Sequence, residues 1–350
     1  MKILRLYTRL PPLLGGMENH IAQLSKEQIK LGHDVTIYFN KGAKVTSKDV
    51  QITKFPLYKV KPQFLGIVSF HFLAFLRLIV NQDKFDIVHI HGDWSSLIFA
   101  MLIKKIVGSK KLIMSIHDEL SGNFLSKKAL SVLLNQVDII FATGHGLASQ
   151  LKKLTSKKVI VQPSGIQNIF FEQHSRSFDR KSLQVIIVAN LVKKKNLDLV
   201  LDIAKDLQLL NFILVGDGPE KKHFLNRIKY EGIGNIKILG YKNPTELHLL
   251  YYESDIFMLT SLKEGTPTSM LEAMASGLPI VTSGAGGVES ILGSHNYITD
   301  KNDKQHYIDC ISELLEKADQ MQEISNHNIS ISKSFSWVNV AKKIDNYILE

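Results

Sequence analysis

Apolar residues recur along this chain in two alternating rhythms. Lys2 to Tyr7, Val35 to Phe39, Phe85 to His89 and Lys111 to Ile116 are short apolar runs of strand length, whereas Glu18 to Leu31 carries its apolar positions at helical spacing. Strands alternating with helices predict βαβ units and a parallel sheet. Gly32-His33-Asp34 falls where a helix ends on glycine and the next strand begins. After Pro163-Ser164-Gly165 the rhythm restarts, with Gln184 to Ala189, Phe212 to Val215, Ile236 to Leu239, Asp255 to Leu259 and Pro279 to Thr282 as strands. The polar, aperiodic Gln173-His174-Ser175-Arg176-Ser177 reads as a linker and puts the boundary near 165–180. The expected fold class is α/β, with an N-terminal Rossmann-like domain over 1–165 and a second over 166–334. Residues 335–350 are expected to close the chain as a helix, N-capped at Ser334 or Ser336 and packing back on the N-terminal domain.

One stretch departs from both rhythms. Phe64 to Val80 is almost wholly apolar over 17 residues, interrupted by Ser69, His71 and Arg77, and is barely long enough to cross a hydrocarbon core. Two readings stand beside each other: a helix buried in the domain, or a helix lying in a membrane interface with Lys59, Lys61 and Arg77 nearby.

Composition narrows the class. With 45% hydrophobic and 22% charged residues the chain is neither disordered nor fibrous, and its 350 residues suit two cores. Cys310 is the single cysteine, which excludes an intramolecular disulfide and a cysteine-built zinc site and fits a reducing compartment. The first apolar run is cut short by Arg9 and Pro11-Pro12 and does not read as a secretory signal, so a cytoplasmic protein is expected. Charge is uneven: residues 1–165 hold 23 Lys and Arg against 10 Asp and Glu, leaving 20 against 23 for the rest. A basic first half attracts an anionic partner, be it a phospholipid surface, a lipid diphosphate or nucleic acid; a merely lysine-rich solvated surface is the alternative.

The densest chemical signal is the run from Lys263 to Pro279. It follows the strand Asp255 to Leu259, so Glu264 lies in the loop at the strand's carboxyl end, the edge at which open α/β sheets bind ligands, with Glu272 about two turns into the next helix. Gly265 allows close backbone approach, and the amides around Thr266, Thr268 and Ser269 form an anion site at the helix start, where Pro267 suits the first turn. Two glutamates eight positions apart face nearly the same way on a helix, and a carboxylate pair can accept hydrogen bonds from vicinal sugar hydroxyls. Two solvated glutamates near a helix start would give the same pattern.

The stretch from Ser254 to Ser283 resembles the signature of family 4 of the retaining glycosyltransferases, which have the GT-B fold. The resemblance implies two facing Rossmann-like doubly wound domains with a cleft between them, and a nucleoside diphosphate sugar donor held mainly by the second. It gives Glu264 the hydroxyls of the donor sugar and Glu272 the ribose. Leu14-Gly15-Gly16-Met17-Glu18 is similar to the family's glycine pair, at which the donor diphosphate approaches the first domain. Val188 to Lys195 occupies the place of the family's basic pair, and Gly216-Asp217-Gly218-Pro219 that of its next loop. Asn190 stands where arginine is usual, which leaves the diphosphate charge chiefly to Lys195, with Lys193 or Lys194 as helpers. Pro163-Ser164-Gly165-Ile166-Gln167 and Gly286-Gly287-Val288-Glu289 also depart from the family pattern. His117, which follows the strand Lys111 to Ile116, matches a histidine that orients the donor sugar; a histidine packed at a strand end is the plain alternative. His89, His91, Asp93 and Trp94 read as a polar loop after a strand, on the acceptor side or merely structural.

The resemblance thus implies a retaining transferase that moves a sugar from a UDP- or GDP-linked donor to a hydroxyl of a saccharide or lipid-linked saccharide. Cell-surface polysaccharide, capsule or lipopolysaccharide synthesis is the expected setting, with a peripheral position on the inner membrane face supplied by the basic first half. No cofactor is expected, and no metal, since the aspartates lack ligand spacing. Two alternatives remain: a GT-B sugar-nucleotide epimerase, and a non-catalytic binding protein derived from a transferase. Nucleic acid is not an expected partner, because basic residues are not interleaved with aromatic ones.

Overall fold

The computed structural model describes residues 1–9, 16–41, 51–54, 63–117, 124–172, 178, 183–300 and 302–350. The chain forms two compact units, Met1–Gly165 with Trp337–Glu350, and Ile166–Ser336.

In the first unit the strands are β1 (Lys2–Leu6), β2 (Asp34–Phe39), β3 (Gln51–Lys54), β4 (Ile87–His91), β5 (Lys111–Ile116), β6 (Ile139–Ala142) and β7 (Lys158–Val161). They pair in parallel in the order β3-β2-β1-β4-β5-β6-β7. Helices α1 (Gly16–Lys30), α2 (Gln63–Asn81), α3 (Ala100–Val107), α4 (Phe124–Leu134) and α5 (His145–Lys152) connect them. One face of the sheet is covered by Phe70, Ala74 and Leu78 of α2, Ile103 and Val107 of α3, and Leu130 and Leu134 of α4. The other receives Ile21 and Leu24 of α1.

The second unit repeats the plan. Its strands are β8 (Gln184–Val188), β9 (Asn211–Val215), β10 (Ile236–Gly240), β11 (Ile256–Leu259), β12 (Ile280–Ser283) and β13 (Tyr297–Thr299), parallel in the order β10-β9-β8-β11-β12-β13. Its helices are α6 (Leu197–Asp206), α7 (Lys221–Glu231), α8 (Pro244–Glu253), α9 (Thr268–Ala275), α10 (Glu289–Leu292), α11 (Lys304–Glu316) and α12 (Ala318–Ser332). Both units are therefore doubly wound Rossmann-like domains, as the alternating rhythm predicts.

The closing helix α13 (Trp337–Leu349) belongs to the first unit, where Val340, Ala341, Ile344 and Ile348 join the layer of α1. A buried polar chain ties it there. Arg5 on β1 is fully buried and donates to Ser25 Oγ and, at 2.6 Å, to Gln28 Oε1. Gln28 Nε2 in turn donates to Asp345 Oδ1 at 2.7 Å, and His33 Nε2 lies 2.7 Å from Asp345 Oδ2. Burial lowers the Arg5 pKa to about 9, with the charge of Asp345 pulling the other way. Apolar packing and this chain together explain why the last segment returns to the first sheet.

Three expectations need correction. The strand expected at Phe85 to His89 begins two residues later: Phe85 is apolar because it fills the core, while Asp86 binds the Lys2 amide at 2.7 Å, beside the strand rather than in it. Strands β3, β6, β7 and β13, of three or four residues each, lie outside the expected set. Helix α2 is not buried throughout: Phe70, Ala74 and Leu78 are buried, but Phe64, Leu65, Phe72, Leu76, Ile79 and Val80 are exposed. The linker residues 173–177 lie outside the described residues.

Replacing Asp345 by alanine removes the acceptor for Gln28 and His33 and leaves the Arg5 charge without its counter-charge. A loss of about 3 kcal/mol is expected, read as a lower melting temperature, whereas Lys343→Ala on the exposed face of α13 should leave it unchanged.

Candidate functional site

In the second unit the strand order reverses between β8 and β11, the switch edge at which open α/β sheets bind ligands. These two loops are stitched together. Thr260 Oγ1 lies 2.9 Å from the Lys195 carbonyl and 3.0 Å from that of Asn196, and the Leu262 amide donates to the Lys194 carbonyl at 2.9 Å. Asn196 takes a left-handed conformation, φ 50°, where the turn Lys193–Lys195 passes into α6.

This stitching brings Lys195 Nζ onto Glu264 Oε1 as a salt bridge, and Ser261 Oγ donates to the same oxygen at 2.7 Å. Only 12% of the lysine side chain and 9% of the glutamate are exposed, so either charge left alone would pay a desolvation cost that the pair avoids. Lys193 and Lys194 are exposed and Asn190 is exposed on the same loop; of the three lysines, Lys195 is the one held against Glu264.

Two glycines set the spacing of these loops. A Cβ on Gly286, φ 88°, would stand 1.8 Å from the Gly265 carbonyl oxygen and 3.1 Å from Glu264 Cβ. A Cβ on Gly218 would stand 2.5 Å from the Leu191 carbonyl oxygen. The loops after β12 and β9 thus lie directly against the two that carry Glu264 and Lys195, a closeness only glycine permits.

Glu272 has a different partner. Tyr251 of α8 is fully buried, and its hydroxyl lies 3.2 Å from Glu272 Oε2 and 3.1 Å from the Ser269 carbonyl. Burial raises the Glu272 pKa to about 8, while the hydrogen bond from Tyr251 acts the opposite way. Pro267 is the N-cap of α9, one residue outside the helix, and its ring offers no side-chain cap. Glu272 is consequently about one turn into α9 rather than two. Glu264 is on the loop, so the two glutamates do not share a helix face, and the eight-residue spacing works through the loop instead.

In the first unit the order reverses between β1 and β4, and the residues at that edge are histidines. Gly16 opens α1 with open space around it, and His20 follows one turn later; Gly15 lies outside the described residues. The rings of His20 and His117 pack edge to face at 4.7 Å between centroids, and those of His89 and His91 stack at 4.1 Å. Ring nitrogens of His20, His91 and His117 all lie within 4.8 Å of one another. His20 Nδ1 meets Ser164 Oγ at 2.8 Å, His89 Nε2 meets Ser115 Oγ at 2.8 Å, and His91 Nδ1 lies 3.5 Å from His117 Nε2. Among the described residues, the buried Nε2 atoms of His20 and His91 have no partner. Burial lowers the His117 pKa to about 4, and burial aided by the neighbouring histidines and Arg5 lowers those of His20, His89 and His91 well below the ordinary range. All four are neutral imidazoles near pH 7.

The polar loop expected at His89 to Trp94 is corrected here. His89 and His91 are buried strand residues of β4, and Asp93 spends Oδ1 on the amide and hydroxyl of Ser95 at 2.9 and 2.5 Å, capping the short turn that Trp94 opens. His20, Tyr251 and Ser261 carry site geometry that sequence reasoning missed. His20 had a readable signal, a polar residue beside Ile21 and one turn after Gly16; Tyr251 and Ser261 had none, because their partners arrive from other elements.

Two Rossmann-like parallel-sheet domains in one chain, each presenting polar side chains at its switch edge, are the GT-B architecture. Residues 14–167 match the family described as Glycosyltransferase Family 4, and residues 169–330 match Glycosyl transferases group 1; the chain belongs to this family and is a glycosyltransferase. It is 23% identical to the Phosphatidylinositol N-acetylglucosaminyltransferase gpi3 subunit of Schizosaccharomyces pombe, over 95% of this chain and 77% of the relative. With N-acetyl-alpha-D-glucosaminyl L-malate synthase of Bacillus anthracis it shares 23% identity over 87% and 85% of the two chains. The structure superposes on Anabaena Alr3699/HepE, solved with UDP and glucose, at a TM-score of 0.81 and 18% identity, over all of both chains.

The histidines make stability depend on pH. Their folded pKa values are depressed, so the unfolded chain takes up protons first: the stability is whole above the ordinary histidine value near 6.5 and drains away as pH falls toward about 4. His71 of α2, fully buried with Nδ1 on the Ile67 carbonyl at 2.9 Å and a pKa lowered to about 4 by burial, adds to the effect. His117 and His71, each lowered to about 4, contribute on the order of 3 kcal/mol apiece across the window. Melting temperatures measured from pH 7 to pH 4 should fall steeply, and less steeply in His71→Gln.

Proposed function

We propose that this enzyme transfers a sugar from a UDP-linked donor to a hydroxyl of a saccharide or lipid-linked acceptor in cell-surface glycoconjugate synthesis, with retention at the anomeric carbon. The observation that carries the reading is the Lys195 and Glu264 pair at the β8 and β11 edge, with Glu272 one turn into the helix that follows. Uridine is favoured over guanosine by the HepE complex with UDP. The sugar favoured is N-acetylglucosamine, which both curated relatives carry in their names.

Held against Glu264 in the free enzyme, Lys195 is the cation that meets the diphosphate. As phosphate oxygens take up the ammonium, the Glu264 carboxylate is released to accept hydroxyls of the sugar, and the amides around Thr266 and Thr268 face the same charge. Glu272 accepts the ribose hydroxyls. The bond from the anomeric carbon to the diphosphate oxygen breaks with its electron pair on that oxygen, where Lys195 stabilises it, and the acceptor oxygen bonds to the anomeric carbon as its proton passes to the departing diphosphate oxygen. Neutral His117 orients the donor sugar by hydrogen bonding and not by charge, while the unpartnered nitrogens of His20 and His91 are left to bind acceptor hydroxyls. The reaction runs without cofactor or metal, the lysine doing the cation's work.

A melting screen of UDP-, GDP- and ADP-sugars in EDTA tests this. UDP-N-acetylglucosamine at ~100 times its Kd should stabilise the protein by about 2.7 kcal/mol, and Glu272→Ala should lose the shift. Absence of a shift with every nucleotide sugar would sink the reading, and a shift abolished by EDTA would sink its metal-free form. Donor affinity should also rise as pH climbs through about 8, where Glu272 ionises. Tyr251→Phe should move that midpoint upward and weaken binding about fivefold at pH 7, by loss of one hydrogen bond, as calorimetry against pH can read.

A further inference from the structure

Helix α2 has two apolar faces, and among the described residues one of them is buried. Phe70, Ala74 and Leu78 are buried against the first sheet, whereas Phe64, Leu65, Phe72, Leu76, Ile79 and Val80 are each 40% exposed or more, Val80 reaching 79%. Leu65, Phe72, Leu76 and Ile79 follow one another at intervals of seven, four and three, so they form a single stripe along the outside of the helix. The patch does not stop at α2. The short turn Trp94–Leu97 and α3 pack beside it, adding Ile98 and Leu102 at 40% and 46% exposure, and α4 beyond the turn adds Val132 at 60%. Exposed apolar residues on three elements that pack together exceed the scattered exposed leucines of an ordinary surface.

The charge around it selects the occupant. Helices α2, α3 and α4 carry Arg77, Lys104, Lys105, Lys127 and Lys128 and not one aspartate or glutamate. Lys104 is spent on Asp138 at 2.6 Å, while Arg77, Lys105, Lys127 and Lys128 are exposed. An apolar stripe beside helices that carry cations and no carboxylate of their own complements a surface that is apolar within and negative outside. That is an anionic bilayer; a protein partner or a second copy of this chain would ordinarily offer both signs of charge. By length and composition Phe64–Asn81 could also cross a membrane. Spanning would strip Phe70, Ala74 and Leu78 from the core of the first unit, so this fold can offer a bilayer the outer face of the helix but not a crossing.

We propose that the outward face of α2, continued by Ile98, Leu102 and Val132 and flanked by the lysines of α3 and α4, is a docking surface for an anionic phospholipid bilayer. This deepens the functional reading, in which the acceptor is lipid-linked, by naming the surface that brings the enzyme to it. Flotation is read without donor or acceptor, so its outcome is independent of sugar transfer and distinguishes a failed docking face from a failed enzyme assignment.

Full-length protein is floated with vesicles of phosphatidylcholine alone and of phosphatidylcholine mixed with phosphatidylglycerol, at low and high salt. Wild type should rise with the mixed vesicles at low salt and less at high salt. Leu76→Glu with Val80→Glu, both at exposed positions, should lose flotation at an unchanged melting temperature. Lys127→Glu with Lys128→Glu should lose the preference for phosphatidylglycerol, and it keeps the test open should the first variant fold poorly. Wild type that stays below with anionic vesicles overturns the proposal, as does an α2 variant that floats like wild type. A concentration-dependent dimer in sedimentation that the α2 variant dissolves overturns it too, giving the face to a second copy.

Discussion

Everything placed at the two switch edges follows from one constraint, the crossover that parallel pairing imposes between every two strands. Each strand then ends on the same side, so residues far apart in sequence gather in adjacent loops. In the first unit this collects His20, His91 and His117; in the second it collects Lys195 and Glu264. Glycines complete the gathering, since the loops after β9 and β12 approach to distances no Cβ allows.

The two edges differ in how burial is reconciled with polarity. At the second, opposite charges are held against each other, which keeps a cation and an anion in a part-buried place until a ligand can exchange partners with them. At the first, four imidazoles crowd around one another beneath a buried arginine, and the cheapest state is neutral. One edge therefore offers charge and the other offers hydrogen bonds without charge. That division suits a reaction in which a diphosphate departs carrying negative charge while a sugar must only be oriented.

The first unit pairs this chemistry with an outer face of another kind. Its sheet needs one stripe of α2 to close the core, and the opposite stripe, equally apolar, is left outside among lysines. A helix that served only the core would have no reason to be apolar on both sides.

The alternation of apolar runs was enough to read two parallel-sheet domains, because strand and helix periods are local and each element's buried face repeats at its own spacing. Glu264 and Glu272 were marked out by a motif whose spacing is set by one strand, one loop and one helix start, and Lys195 by a separate match in the loop after β8. What local pattern could not decide was partnership. That Asp345 near the end of the chain answers Gln28 and His33, that Tyr251 sits beneath Glu272, and that His89 and His91 are strand residues and not loop residues all depend on elements brought together by the sheet. Hydrophobicity likewise marked Phe64 to Val80 as unusual without saying which side faced outward. A side chain's period tells how it repeats along its own element; what it touches is settled only when other elements pack against it.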